Sequence, residues 1–273
     1  MLNNSPSACR QNSVPGPSMS DDNQTMKCRG PIPVLYEDDQ LIAVAKPSGM
    51  FVHRSMADRS ATEFVVQTVR DQLNCFVYPI HRLDRPTSGL LLLAKSSEAA
   101  AIYATMFAER RVQKTYLALV RGFTEDSGRI DRPLVSDKGL GRPASDPHSV
   151  PQEAETLYRT LEKFEVGFPS GRHATTRCSL VEASPRTGRY HQIRRHLVGI
   201  SHPVIGDADH GDTKINGLFQ HHVGVTRLML AAVRIEFAHP MTDASIVIEC
   251  PPDDSFSTVI RSLRTLSLPA VPD

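Results

Sequence analysis

Apolar positions fall into short runs of two different periods along this chain. IPVLYEDDQLIAVAKP places β-forming runs at 32–36 and 41–46 around a polar turn, Glu37-Asp38-Asp39-Gln40. That is the pattern of a hairpin. In SATEFVVQTVRDQLN (60–74), Phe64, Val65, Val69 and Leu73 share one helical face, and Ser60 with Glu63 predicts a capping box. YPIHRL reads as a short extended run. LLLLAK, behind Gly89, predicts a buried strand, because the apolar run is unbroken and short. Residues 97–110 predict a second helix.

Alternation returns in KTYLALVRG (114–122), a strand that ends at Gly122. Residues 123–153 are polar, carry Pro133, Pro143, Pro147 and Pro151, and read as a surface excursion. Runs 154–165 and 173–183 have strand character and are expected to pair across the loop with Gly167, Pro169 and Gly171. TGRYHQIRRHLVGI (187–200) opens with turn residues and continues as a helix. Residues 227–237 and 245–250 predict strands, and 257–266 a terminal helix. Residues 1–31 contain no aromatic side chain and are rich in Ser, Asn, Pro and Gly, so they predict a disordered tail. The expected organisation is that tail, one domain over 32–256, and a C-terminal helix and tail over 257–273. Strands and helices mix without strict βαβ alternation. The expected class is α+β, with a mixed, mostly antiparallel sheet and helices packed on it.

Composition sets outer limits. The chain has 273 residues, 40% apolar and 22% charged, enough for a sizeable core. A formal net charge of +1 leaves any anionic partner to be argued locally. Neither a run of eighteen apolar residues nor an apolar signal-peptide region occurs, so no membrane association is expected. Cys9, Cys28, Cys75, Cys178 and Cys250 are odd in number and scattered, which predicts free thiols in a reducing compartment, the cytoplasm. No heptad seam is visible, and a monomer is expected.

Three stretches carry candidate chemistry. In HRLDRPTSGLLLLAK (81–95), Asp84 lies between Arg82 and Arg85 at the mouth of the apolar strand. Opposite charge favours the ionised carboxylate, which suits a nucleophile or base; the other reading is a turn aspartate that caps Thr87 and Ser88. Between 177 and 197, Arg177, Arg186, Arg189, Arg194 and Arg195 face one acid, Glu182. Such a local excess suits phosphate, or else is a solvated basic face. On a helix from Tyr190, His191 and Arg195 share a face, with Arg194 about 100° away. Tyr116, on a strand, is either a packed ring or a platform for an unstacked base. His81, Asp84 and Ser88 have the residue types of a hydrolytic triad, but no GxSxG elbow accompanies them. HPVIGDADHGD (202–212) lacks metal-ligand spacing and reads as a loop turned by Gly206 and Gly211. His191 and His196 are five apart, which does not suit a zinc pair, and His53 stands alone.

Together these stretches resemble the RluA-type family of RNA pseudouridine synthases. HRLDRPTSGLLLLAK is similar to that family's signature around its catalytic aspartate, and KTYLALVRG to its tyrosine segment. TGRYHQIRRHL followed by HPVIGD resembles its arginine segment. RLMLAAVRIEFAHP resembles a later strand and VLYEDDQLIAVAKPSGMFVHRS the opening hairpin. The resemblance spans about residues 32–252. Ala231 departs from it, because the family commonly carries His there, and residues 1–31 have no counterpart.

The resemblance implies the pseudouridine synthase fold, with a central RNA-binding catalytic cleft, and isomerisation of a uridine. Within the family the chain is most similar to bacterial enzymes acting on uridine 65 of transfer RNA. The alternatives are 23S ribosomal RNA as substrate, and a non-catalytic RNA-binding role. It implies no cofactor and no metal. It makes Asp84 the catalytic carboxylate, Arg194 its partner, and Tyr116 the ring stacked on uracil. Arg82 matches the residue that fills the place of the extruded base. Ile193 and Leu230 are expected as pocket walls, and Arg189 and Arg195 as phosphate contacts.

Overall fold

The computed structural model describes residues 30–54, 62–135 and 150–268. Strands β1 (Val34–Glu37) and β2 (Leu41–Lys46) form the opening hairpin. Helix α1 (Val65–Leu73) and the short β3 (Tyr78–Pro79) precede β4 (Ser88–Ala94), which is followed by α2 (Ser97–Ala108) and β5 (Gln113–Arg121). Next come β6 (Ser127–Asp131), β7 (Leu134–Val135), β8 (Pro151–Gln152), β9 (Glu155–Val166) and β10 (Thr176–Pro185). Helices α3 (Gln192–Gly199) and α4 (Thr213–Val223), strands β11 (Leu230–Ala238) and β12 (Ser245–Glu249), and helix α5 (Asp254–Leu266) complete the chain.

The main sheet runs β1-β2-β4-β11-β5-β10-β9-β6, with β3 beside β4 and β12 beside β11. Its pairings are antiparallel except β11 with β4, where Ala231 and Ala232 lie opposite Ser88 and Gly89. Two apolar clusters pack on it. One joins β2 and β4 to α1 and α2 through Val44, Leu91, Val69 and Tyr103. The other joins β5, β9 and β10 to α3, α4 and α5 through Leu119, Phe164, Val181, Leu197, Phe219 and Phe256. Tyr116 packs against both clusters, so it marks the seam between them.

Leu90 to Leu93 are fully buried. At roughly 2 kcal/mol per buried leucine, this run fixes the end of β4 and the turn that leads into it. Gly89 makes the parallel contact feasible. Its φ is +104°, and a Cβ there would overlap the backbone of Ala232.

The predicted class, hairpin and β9–β10 pairing are all present. Several boundaries differ from the sequence expectation. The helix expected over 60–74 covers Val65–Leu73, and Phe64 at its N-cap makes no side-chain cap bond. Ser60 of the expected capping box, and nearly all of the N-terminal tail, lie outside the described residues. The excursion over 123–153 contributes β6 to the sheet edge beside β9. The helix expected from Tyr190 starts at Gln192, because His191 has φ +51° and interrupts the helical path. The terminal helix begins at Asp254 and buries Phe256, Val259, Ile260 and Leu263 in the second cluster. No described helix is long and apolar enough to cross a membrane.

Candidate active site

At the seam, the turn before β4, the middle of β5, the start of α3 and the start of β11 line a cleft open to solvent. Asp84, Tyr116, Ile193, Arg194, Leu230 and Arg189 all line it. These residues come from four separate segments, so the sheet and its packed helix assemble the site.

The turn holding Asp84 is pinned from behind by Lys46. This lysine is buried, and its Nζ donates to the carbonyls of Pro47 (2.9 Å), Arg85 (3.0 Å) and Thr87 (2.8 Å). A buried ammonium is tolerable only when its donors are satisfied, and here two of the three acceptors, the Arg85 and Thr87 carbonyls, belong to the turn. The Thr87 amide also donates to the Asp84 carbonyl at 3.1 Å. The buried Thr87 hydroxyl, which lines the cleft, has no hydrogen-bond partner among the described residues.

Helix α3 is anchored at its first residue. Gln192 accepts from the Thr187 hydroxyl (2.6 Å) and the Arg189 amide (3.0 Å) and donates to the Glu155 carbonyl (2.8 Å). That anchor carries Arg194 into the interior, where it is 1% exposed. Its guanidinium is held chiefly by Asp207: Nε donates at 2.7 Å and Nη2 at 2.6 Å. Nη2 also donates to Asp209 at 2.7 Å, and Nη1 reaches Asp84 at 3.5 Å. Burial alone would raise the Asp207 carboxyl, but the Arg194 bonds and the His210 and Asp209 amides outweigh it and hold it below its ordinary value. The loop 202–212, expected to be structural, therefore orients the arginine that faces Asp84. Gly206 allows that loop to turn, with φ +78° and the Arg227 backbone pressed against it.

His191 adds a second contact to Asp84. Its Nε2 lies 3.8 Å from the carboxylate, and its Nδ1 is 2.8 Å from His210 Nε2. Burial pushes His191 down to about 4, so the ring is neutral near pH 7. A carboxylate prefers the tautomer with Nε2–H facing it. The His210 Nε2–H is then the donor to His191 Nδ1. The spacing of the HQIRRH segment gave no sign of this pair; the two rings meet only because the loop folds back over α3.

Tyr116 is surrounded by both apolar clusters. Burial, then the charge on Asp84, raise its phenol above the ordinary value and keep it protonated. Arg82 is exposed and lies outside this cleft, in an adjoining groove lined also by Lys114, Arg186 and Arg189. Arg195 is not among the cleft residues: its Nη1 donates to the Val135 carbonyl at 3.0 Å.

The other candidates disperse. His81 accepts from the Leu92 amide at 3.0 Å and stacks on Phe107; burial pushes it down to about 3. The Ser88 hydroxyl is buried and accepts from Arg227 at 2.6 Å. Neither lines the cleft, so no hydrolytic triad forms. His196 is taken up by Thr156 (2.9 Å) and the Arg132 carbonyl (3.0 Å). His53 is exposed. Among the described residues no group of three His, Cys, Asp or Glu is placed to hold a metal ion.

A family model described as RNA pseudouridylate synthase matches residues 40–198. A curated chain named tRNA pseudouridine synthase C, from Pasteurella multocida (strain Pm70), is 49% identical over 230 residues. That alignment covers 84% of this chain and 94% of the relative. The relative of the same name from Vibrio parahaemolyticus serotype O3:K6 (strain RIMD 2210633) is 46% identical over 225 residues, covering 82% and 91%. The solved structure of human RNA pseudouridylate synthase domain containing 4 shares the fold. Its TM-score is 0.64 at 23% identity, over 85% of this chain and 92% of that one.

Proposed function

The chain belongs to the RNA pseudouridylate synthase family, and we propose that its substrate is a uridine of transfer RNA, at position 65. The enzyme is an isomerase: it breaks the bond between N1 and C1′ and joins C5 to C1′ of the same ribose. C5 loses a proton and N1 gains one, so atoms and electrons balance within the nucleotide. The two relatives of nearly half identity, both named for transfer RNA, support the choice of RNA. In this reading the enzyme works in the cytoplasm, alongside its transfer RNA substrate.

In this reading Asp84 is the catalytic carboxylate. The observation that carries it is the convergence of Asp84, Arg194 and Tyr116 on one cleft. Arg194, fixed by Asp207, presents Nη1 to Asp84 without swinging free, so the carboxylate is oriented before substrate arrives. The target base leaves its stack at a cost of a few kcal/mol. Tyr116 stacks on it, and Ile193 and Leu230 exclude water from its edges. The Tyr116 hydroxyl assists the late proton transfer from C5 as a relay, its oxygen receiving one proton as its own passes on toward the Asp84 carboxylate. Arg82, exposed in the adjoining groove, enters the space left in the RNA; its planar guanidinium suits stacking on bases and bonding to phosphate. Arg189, on the rim shared by cleft and groove, takes a phosphate.

Tritium release from transfer RNA carrying 5-³H-uridine tests the reaction. The wild-type chain should release tritium and Asp84→Asn should release none, while still binding the RNA. Full activity in Asp84→Asn would remove the reading. Mapping pseudouridines in total RNA from a deletion strain tests the substrate: loss at position 65 of transfer RNA is expected, and loss confined to ribosomal RNA would refute that choice.

A further inference from the structure

Lys114 lines three adjoining recesses. It faces the cleft of Asp84 and Tyr116, the groove of His81, Arg82 and Arg189, and a smaller recess beside Arg110 and Arg186. It precedes Tyr116 by two residues on β5, so both side chains leave the same face of the strand. Its Nζ lies 6.0 Å from the Phe107 ring and donates to the Thr187 carbonyl at 3.3 Å. No described carboxylate forms an ion pair with it. An ammonium has three donors and the Thr187 carbonyl is the one acceptor described for it, so hydrogen-bonding capacity remains for a ligand in the recesses it lines.

The charges around it are mostly of its own sign. Arg82, Arg110, Arg186 and Arg189 line the groove and the smaller recess, and Glu153 offsets Arg110 at 2.7 Å. His81 is neutral; Asp84 and the protonated Tyr116 lie on the cleft side. A cation half-buried among cations is completed by an anion from outside.

We propose that Lys114 grips a backbone phosphate of the RNA strand beside the extruded uridine. The inference rests on the reading that RNA enters this cleft. It carries a linkage. Burial pushes Lys114 down to about 8, and a bound phosphate favours its charged form. The complex then holds more protons than the free protein above pH 8, so affinity falls as pH rises through that range.

The test is the affinity of full-length Asp84→Asn protein for an unmodified transfer RNA transcript, measured by fluorescence anisotropy at several pH values and potassium chloride concentrations. From pH 7.0 to 8.8, Kd should weaken about sevenfold, given an amine that titrates near 8. Adding Lys114→Arg should keep the affinity and abolish that pH dependence. Adding Lys114→Met should weaken binding at pH 7.0 and reduce the slope of log K against log salt by about 0.9. A pH-independent Kd in the parent overturns the proposal. So does an unchanged pH dependence in Lys114→Arg, which decides the matter alone if the methionine variant does not fold. So does an undiminished salt slope in Lys114→Met. Failure of the underlying reading would appear elsewhere, as absent tritium release by the wild-type chain.

Discussion

Arg194 meets Asp207 through two hydrogen bonds, of 2.7 and 2.6 Å, and reaches Asp84 with only one nitrogen, at 3.5 Å. The stronger partner of the arginine is therefore Asp207, and not the proposed catalytic carboxylate. Asp207→Asn would leave a buried guanidinium short of its counter-charge. We expect a loss of about 3–5 kcal/mol in stability. We also expect kcat to fall about a hundredfold through misplacement of Nη1. Urea unfolding and single-turnover tritium release check both, and wild-type kcat in a folded variant would refute the orienting role.

The proposed reaction gives Tyr116 two separable duties, a ring that stacks and a hydroxyl that handles a proton. Tyr116→Leu should lose the stacking, worth about 1–3 kcal/mol, and weaken transfer RNA binding accordingly. Tyr116→Phe should bind normally but isomerise slowly. Equal kcat for Tyr116→Phe and wild type would confine the residue to stacking.

Burial lowers four described histidines, taking His81 down to about 3 and His191 to about 4 against an ordinary value of 6.5, with His196 and His210 lowered as well. The unfolded chain binds more protons than the folded one between those values and 6.5. Stability from the neutral rings is therefore complete above pH 6.5 and is lost as pH falls toward 4 and then 3. Each ring contributes a slope of up to about 1.4 kcal/mol per pH unit. Unfolding free energies measured from pH 7 to 5 should decline, and His191→Gln should remove one ring's share of the decline.

Gly89 sits where β4 and β11 run parallel, with positive φ and the Ala232 backbone against its Cα. Gly89→Ala should cost about 3 kcal/mol or more, because the added methyl must displace a strand in the middle of the sheet. The urea midpoint measures this. A midpoint within error of wild type would show that the seam gives way easily.

Much of the architecture was legible in local pattern. Leu90–Leu93 is an unbroken apolar run because β4 is covered on both faces, and LYEDDQLIAVA reads as a hairpin because its turn is polar and short. The start of α3 was not legible: the left-handed backbone at His191 has no signature in a residue that usually accepts helical angles. Lys46 was also missed, since a lysine at a strand end normally points to solvent.

The sequence by itself determined most of the strands and helices and the chemical types at the site: a carboxylate in a basic turn, a strand tyrosine and an arginine-rich segment. Those are properties of neighbouring residues, and neighbours are what a linear pattern records. Tertiary structure decided which partner holds each group. Asp207 takes the guanidinium, His210 takes His191, Val135 draws Arg195 outward, and Lys114 is left facing the groove. Each of those choices depends on segments distant in the chain meeting at a seam between two packed clusters, where burial makes every unpaired charge costly.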